Sequence, residues 1–111
     1  MAHSLDDIRQ RLRTFVDERD WQQFHSPKNL SMALSVEAAE LMEHFQWLTE
    51  QQSLELSAEQ REQVALEMAD IFLYLMRLAD RLDIDLLGSA WRKIGLNEKK
   101  YPAAAVRGKS R

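Results

Sequence analysis

Two acidic pairs carry the chemistry that this sequence has to offer. Glu37 and Glu40 stand in Ser35-Val36-Glu37-Ala38-Ala39-Glu40-Leu41, and Glu67 and Asp70 in Ala65-Leu66-Glu67-Met68-Ala69-Asp70-Ile71. At the helical advance of about 100° per residue, Glu37 and Glu40 share a sector with Leu30, Ala33, Leu34, Leu41 and Leu48. Glu67 and Asp70 likewise share theirs with Val64, Ile71, Tyr74, Leu78 and Leu82. Four carboxylates are therefore expected inside a helix–helix contact. An ionised carboxylate taken out of water is costly without a partner, and clustered acids also repel one another. A hard divalent cation removes both penalties, and an oxygen-only ligand set points to Mg²⁺ or Mn²⁺. The bland alternative is that acids spaced i, i+3 lie on a solvated face, which is common in a chain with 18 acids among 111 residues. Two pairs, each in phase with its own apolar stripe, favour the cation.

A carboxylate-held cation of this kind keeps positions open for water and phosphate oxygens. Phosphorus chemistry follows: a neutralised phosphate, a water of lowered pKa, and a spare carboxylate to orient or deprotonate it. Lys28, Lys93, Lys99, Lys100 and Arg107 are candidates to meet phosphate charge, though any single one of them reads first as an ordinary exposed cation. Trp21, Trp47 and Tyr74 lie near the acids in sequence and offer flat faces for a base; Asn97 offers an amide to its edge.

The elements that must position these groups read as helices throughout. Ser4 with Asp7 starts a first helix running to about Asp20. Trp21 to Lys28, with Ser26-Pro27, reads as a connector crowded with aromatics. Asn29 is expected to cap a second helix from about Leu30 to Thr49, and Gln51 to Leu56 to form a loop. Ser57 and Gln60 make a capping box for a third helix, Ala58 to Arg81. Asp83 or Asp85 opens a fourth, Leu86 to about Lys99, striped by Leu87, Ala90, Trp91 and Ile94, and Tyr101-Pro102 ends it. No strand-like alternation appears. The expectation is an all-α, four-helix bundle-like domain over residues 1–102, with a flexible basic tail over 103–111 that carries Arg107, Lys109 and Arg111. Because Met68 to Ala79 is apolar almost all round, a second copy of the chain is expected to cover it through Phe72 and Met76.

Composition narrows the partners. Fifteen basic against 18 acidic residues give a net charge of −3, which argues against a general binder of nucleic-acid polymers or membrane surfaces. Cysteine is absent, so no disulfide or thiolate metal site forms. No stretch of about 18 apolar residues is present, and the first residues lack the features of a signal peptide. A cytoplasmic location is expected.

These motifs resemble a known family. Glu37-x-x-Glu40, 26 intervening residues, then Glu67-x-x-Asp70 is similar to the signature of the MazG-like all-α nucleoside triphosphate pyrophosphohydrolases. Asp20-Trp21-x-Gln23-Phe24-His25-x-Pro27-x-Asn29-Leu30, Phe45-Gln46-Trp47, Asp70-x-x-x-Tyr74, Tyr101-Pro102 and Arg107-Gly108 resemble the dCTP pyrophosphatases among them, over nearly the whole chain. The resemblance implies Mg²⁺-dependent hydrolysis of a nucleoside triphosphate to monophosphate and pyrophosphate, for pool sanitation, by a homotetramer whose sites borrow from neighbours. It implies that Glu37, Glu40, Glu67 and Asp70 hold metal, with Glu37 or Glu40 as base. It implies further that Trp21, His25, Trp47, Tyr74 and Asn97 surround base and sugar, and that Lys93 meets phosphate.

Two departures bear on the substrate. Leu12 stands where the dCTP-specific relatives carry a histidine near the base, and His44 replaces an apolar residue within the acidic stripe. Another nucleotide such as dUTP or a modified pyrimidine, and a non-catalytic regulatory role, are the competing readings. A di-iron bundle is disfavoured because Glu-x-x-His pairs are its usual ligands, whereas Gln22 and Leu41 precede His25 and His44 by three residues.

Overall fold

The computed structural model describes residues 4–109, so Arg111 of the expected basic tail lies outside them. Six α-helices and one short 3₁₀ turn account for most of these residues, and no strand occurs among them. Helix α1, Leu5–Glu18, begins with the reciprocal Ser4–Asp7 capping box. It stops two residues before the expected Asp20, which adopts φ 52° and turns the chain. The 3₁₀ turn Gln22–Phe24 follows.

Helix α2 spans Pro27–Glu43 and so starts earlier and ends earlier than its sequence suggests. The Ser26 hydroxyl accepts the Asn29 amide N–H, and proline occupies the first turn, where its missing N–H costs nothing. Asn29, expected as the cap, instead donates its side-chain amide to the Phe24 carbonyl and holds the aromatic connector against the helix. At the other end Thr49 and Gln52 form a capping box of their own. They nucleate a short helix, α3 (Glu50–Leu54), in the segment expected to be a loop.

Helix α4, Ala58–Arg81, has the expected bounds and its Ser57–Gln60 box. It is the central rod, packing along α2 and against α1. Val16 of α1, Leu30 of α2, and Met76 and Ala79 of α4 form the small buried core. Arg13 clamps α1 to α4 by donating Nε–H to Asp80 Oδ2 at 2.8 Å. Met76 is only 6% exposed, so the chain covers it by itself and it is not available as an intermolecular contact. The large apolar side chains left open on α4 are Leu66 and Met68.

Asp85 caps α5, Leu86–Lys100, and one further helical turn, α6 (Ala103–Val106), lies within the tail. The α5 stripe is uncovered: Leu87, Trp91 and Ile94 are all exposed. The Cα radius of gyration is 17.3 Å, whereas a compact chain of this length has about 13 Å.

Candidate metal centre and adjoining cavity

Helix α2 turns one face inward. Leu30, Ala33, Leu34, Glu37, Glu40, Leu41 and His44 are buried or half-buried, at steps of three and four, and the residues between them are exposed. Two acids thus ride on the same face as the leucines that pack α2 onto α4. On α4 the matching positions are Val64, Glu67 and Ile71, again shielded, with Asp70 at the margin and more exposed.

Packing the two faces together brings one carboxylate oxygen from each of Glu37, Glu67 and Asp70 within 4.8 Å of the others. Oε2 of Glu37 and Oε2 of Glu67 are buried and have no hydrogen-bond partner. Such atoms are rare in native proteins, because an unpaired buried acceptor forfeits its hydration. Burial, foremost, and the neighbouring carboxyls of Glu67, Glu40 and Asp70 push the Glu37 carboxyl up to about 7. The site therefore favours uptake of a proton or a cation near neutrality. Three oxygen donors, two of them buried without partners, fit a hard divalent ion, and nothing in the set is soft enough to favour copper or an iron–sulfur group. Glu40 flanks Glu37 and helps to raise its pKa, while lying outside the group of three.

A cavity of about 220 Å³ opens beside this cluster, lined by Leu12, Phe15, Val16, Trp21, His25, Asp70, Leu73, Tyr74 and Arg77. Asp70 belongs to both the cavity wall and the carboxylate group. The Trp21 indole meets Phe15 edge-on at 5.7 Å between ring centroids, and the His25 ring lies 6.4 Å from the indole. The pocket thus combines aromatic walls with a carboxylate in one lining.

Comparison with known proteins shows the family. The family model described as MazG-like matches residues 32–110, most of the chain. The chain belongs to the MazG-like family. It is 42% identical over 110 residues to human dCTP pyrophosphatase 1, covering 97% of this chain and 65% of that protein. The corresponding bovine dCTP pyrophosphatase 1 is 41% identical over 107 residues, covering 95% of this chain and 63% of that protein. The chain therefore spans a little under two thirds of the length of these relatives. Among solved structures, a pyrophosphatase from Archaeoglobus fulgidus DSM 4304 superposes with a TM-score of 0.85 at 37% identity. That match covers 92% of this chain and 95% of the other.

In this MazG-like chain the residues expected around a nucleotide fall into two sets. Trp21, His25, Tyr74 and Asp70 come together at one cavity. Trp47, Lys93 and Asn97 are not among its lining residues. Trp47 does not sit near the end of α2, as its spacing from Glu40 suggests; it follows the helix in a turn and is 86% exposed. Lys93 and Asn97 lie on the uncovered α5.

Sequence reasoning passes over Arg77. The residue is 4% exposed; Nε–H donates to His25 Nδ1 at 3.3 Å, Nη1 to Asp80 Oδ2 at 3.4 Å, and Nη2 to Gln22 Oε1. A signal is present: Arg77 follows Asp70 by seven residues and Tyr74 by three, which puts it in phase with both. Arg81, one turn later, donates Nε–H to the His25 carbonyl at 3.1 Å. Burial, then the charges of Arg77 and Arg81, hold the His25 imidazole below its usual pKa.

Proposed function

We propose that this protein is a Mg²⁺-dependent nucleoside triphosphate pyrophosphohydrolase, acting on dCTP or a modified pyrimidine deoxynucleoside triphosphate and releasing monophosphate and pyrophosphate. The observation that carries the reading is Asp70, shared by a cavity with aromatic walls and a trio of carboxylates two of whose oxygens are buried without partners. A molecule with a flat base at one end and a charged chain of phosphates at the other has the shape this juxtaposition asks for. The dCTP pyrophosphatase names of the curated relatives and the pyrophosphatase superposition support it.

Glu37, Glu67 and Asp70 are the residues that would hold the ion. When bound, a divalent cation neutralises phosphate oxygens and acidifies water in its shell. The remaining steps belong to the chain. Glu40, beside Glu37 but outside the trio, keeps a free carboxylate to take a proton from the water that attacks the α-phosphorus. Trp21 and Tyr74 flank the base, and Leu12 and Phe15 exclude water from it. Leu12 is among the cavity's lining residues, so the wall at that position offers a base no hydrogen-bonding group. Methylated or otherwise modified pyrimidines are accordingly among the accepted substrates.

The working unit is a homo-oligomer, most simply a tetramer. A radius of gyration well above that of a compact chain and an unpartnered apolar stripe on α5 support this. Lys93 and Asn97, which line no part of the cavity of their own chain, would reach a nucleotide held by a neighbour. Incubation with a panel of deoxy- and ribonucleoside triphosphates plus Mg²⁺, with products separated by chromatography, tests the activity. Monophosphate with pyrophosphate is expected; diphosphate with orthophosphate, or no turnover, overturns it.

A further inference from the structure

The polar groups around Arg77 form a chain of hydrogen bonds whose direction is fixed by chemistry. A guanidinium has five N–H donors and no acceptor. Because Arg77 Nε faces His25 Nδ1 at 3.3 Å, Nδ1 must be the acceptor, and the ring proton must sit on Nε2. Every other member agrees with that polarity. Gln22 accepts from Arg77 through Oε1 and donates its Nε2 amide to Asp17 Oδ1 at 3.1 Å. Asp80 accepts from both Arg77 and Arg13. Arg81 fixes the His25 backbone from the same face of α4. The imidazole is thus gripped at its ring and at its carbonyl by two arginines one helical turn apart, while its ring borders the cavity together with Trp21.

We propose that Arg77 is a positioning residue for base selection: it locks His25 as the Nε2–H tautomer, so that the cavity presents a hydrogen-bond donor to the adjacent O2 and N3 acceptors of a cytosine. This rests on the nucleotide reading of the cavity given above. Uracil and thymine offer O2 but carry a hydrogen on N3, so the same donor suits them less well. Leu12 has no hydrogen-bonding group, so residue 12 supplies no part of a preference for cytosine. An isolated guanidinium is costly to bury, and here the nitrogens of Arg77 are spent on holding the loop that carries His25 and on the Asp80 counter-charge.

The test has two arms. In the first, ¹⁵N-detected imidazole spectra of the wild-type protein at pH 8 are expected to show His25 with a proton on Nε2 and none on Nδ1, and its Nε2 resonance to move on addition of dCMP. An Nδ1–H tautomer, an imidazolium, or an unmoved Nε2 resonance overturns the inference. The second arm compares kcat and KM for dCTP and dUTP in wild type and Arg77→Met. The KM for dCTP is expected to rise about tenfold with little change in kcat, and the dCTP/dUTP selectivity to fall by a similar factor; unchanged selectivity overturns the inference. The first arm needs no variant and so decides the matter if Arg77→Met does not fold. Should the wild type hydrolyse no triphosphate, the proposed activity fails by itself, and the spectrum with dCMP still judges the tautomer and the donor.

Discussion

Glu37 on α2 and Glu67 on α4 meet with one oxygen apiece buried and unbonded, and Asp70 completes a trio within 4.8 Å. Like charges this close cannot all stay ionised in a shielded site. A proton or a cation must occupy the gap, and the two compete.

That competition gives a pH prediction for the metal-free protein. Glu37 rises from an ordinary 4.5 to about 7 on folding, so the folded state binds the proton more tightly than the unfolded state. Its contribution to stability is fully present below about pH 4.5 and is lost as the pH rises through about 7. Thermal melts in EDTA should therefore show wild-type stability falling across this window relative to Glu37→Gln, whose amide carries no ionisable proton. Parallel curves for the two proteins would count against a shared, shielded carboxylate cluster.

A cation relieves the same repulsion, so adding Mg²⁺ at pH 8 should raise the melting temperature. At a hundred times the dissociation constant the gain is about 2.7 kcal/mol, or roughly 10 °C for a chain of this size. Glu67→Gln, which removes one of the two orphaned oxygens, should abolish most of that shift. Loss of the shift at lower pH in wild type, as Glu37 takes back its proton, is the companion result. A Mg²⁺ response identical in wild type and Glu67→Gln would move the ion elsewhere.

Glu40 is assigned proton transfer and not ion holding, and kinetics can separate those roles. Glu40→Gln should lower kcat by roughly 10²- to 10³-fold, within the range usual for a general base. The Mg²⁺ concentration for half-maximal rate should hardly change. Asp70→Asn is expected to differ by raising both the Mg²⁺ requirement and the KM, because Asp70 touches both halves of the site. A variant pair with interchanged behaviour would reverse the two assignments.

The legible part of this architecture is the part written in short-range rules. Ser57 and Gln60 mark the start of α4, and the phase of Glu37, Glu40, Glu67 and Asp70 against their leucines puts carboxylates into a helix contact. The bounds of α2 escape sequence reasoning because two signals overlap. Asn29 is as good a cap by type as Ser26, and no glycine or proline marks the stop at Glu43, where the Thr49–Gln52 box begins a new helix. Trp47 is misplaced along with that boundary. Met76 reads as an outer contact because a helix apolar on all sides does not say which side its own chain covers. The links from Arg77 to His25 and Gln22 join residues more than fifty positions apart, beyond any periodicity.

Asp80 ties that polar chain to α1, and its removal should be felt as stability. Arg13, foremost through its hydrogen bonds, holds the Asp80 carboxyl below its ordinary 3.8, against the opposing effect of burial. A depressed folded pKa contributes stability above about pH 3.8 that is lost as the pH falls through the folded value. Asp80→Asn leaves the buried Arg77 without its counter-charge and should cost about 3 kcal/mol at pH 7. The gap between wild type and variant should close as the pH falls below 4. Denaturant titrations at pH 7 and pH 3 measure both; a constant gap would mean that packing, and not charge, is what Asp80 supplies.

Helix α5 supplies the last prediction. Trp91 is 69% exposed and sits between Leu87 and Ile94 on a stripe that nothing in its own chain covers. Burying an indole and two aliphatic side chains against a second copy is worth several kcal/mol by area, enough to favour association over a lone, open chain. Trp91→Ser should therefore shift the mass seen by size-exclusion chromatography with light scattering toward the monomer. If Lys93 and Asn97 serve a neighbour's nucleotide, turnover should fall in step with the mass. Mixing inactive Glu40→Gln chains with inactive Lys93→Ala chains then tests the sharing directly, since mixed assemblies contain some sites with both residues intact and should regain part of the activity. Recovery of none, with mixed assemblies demonstrated by mass, would confine each site to a single chain.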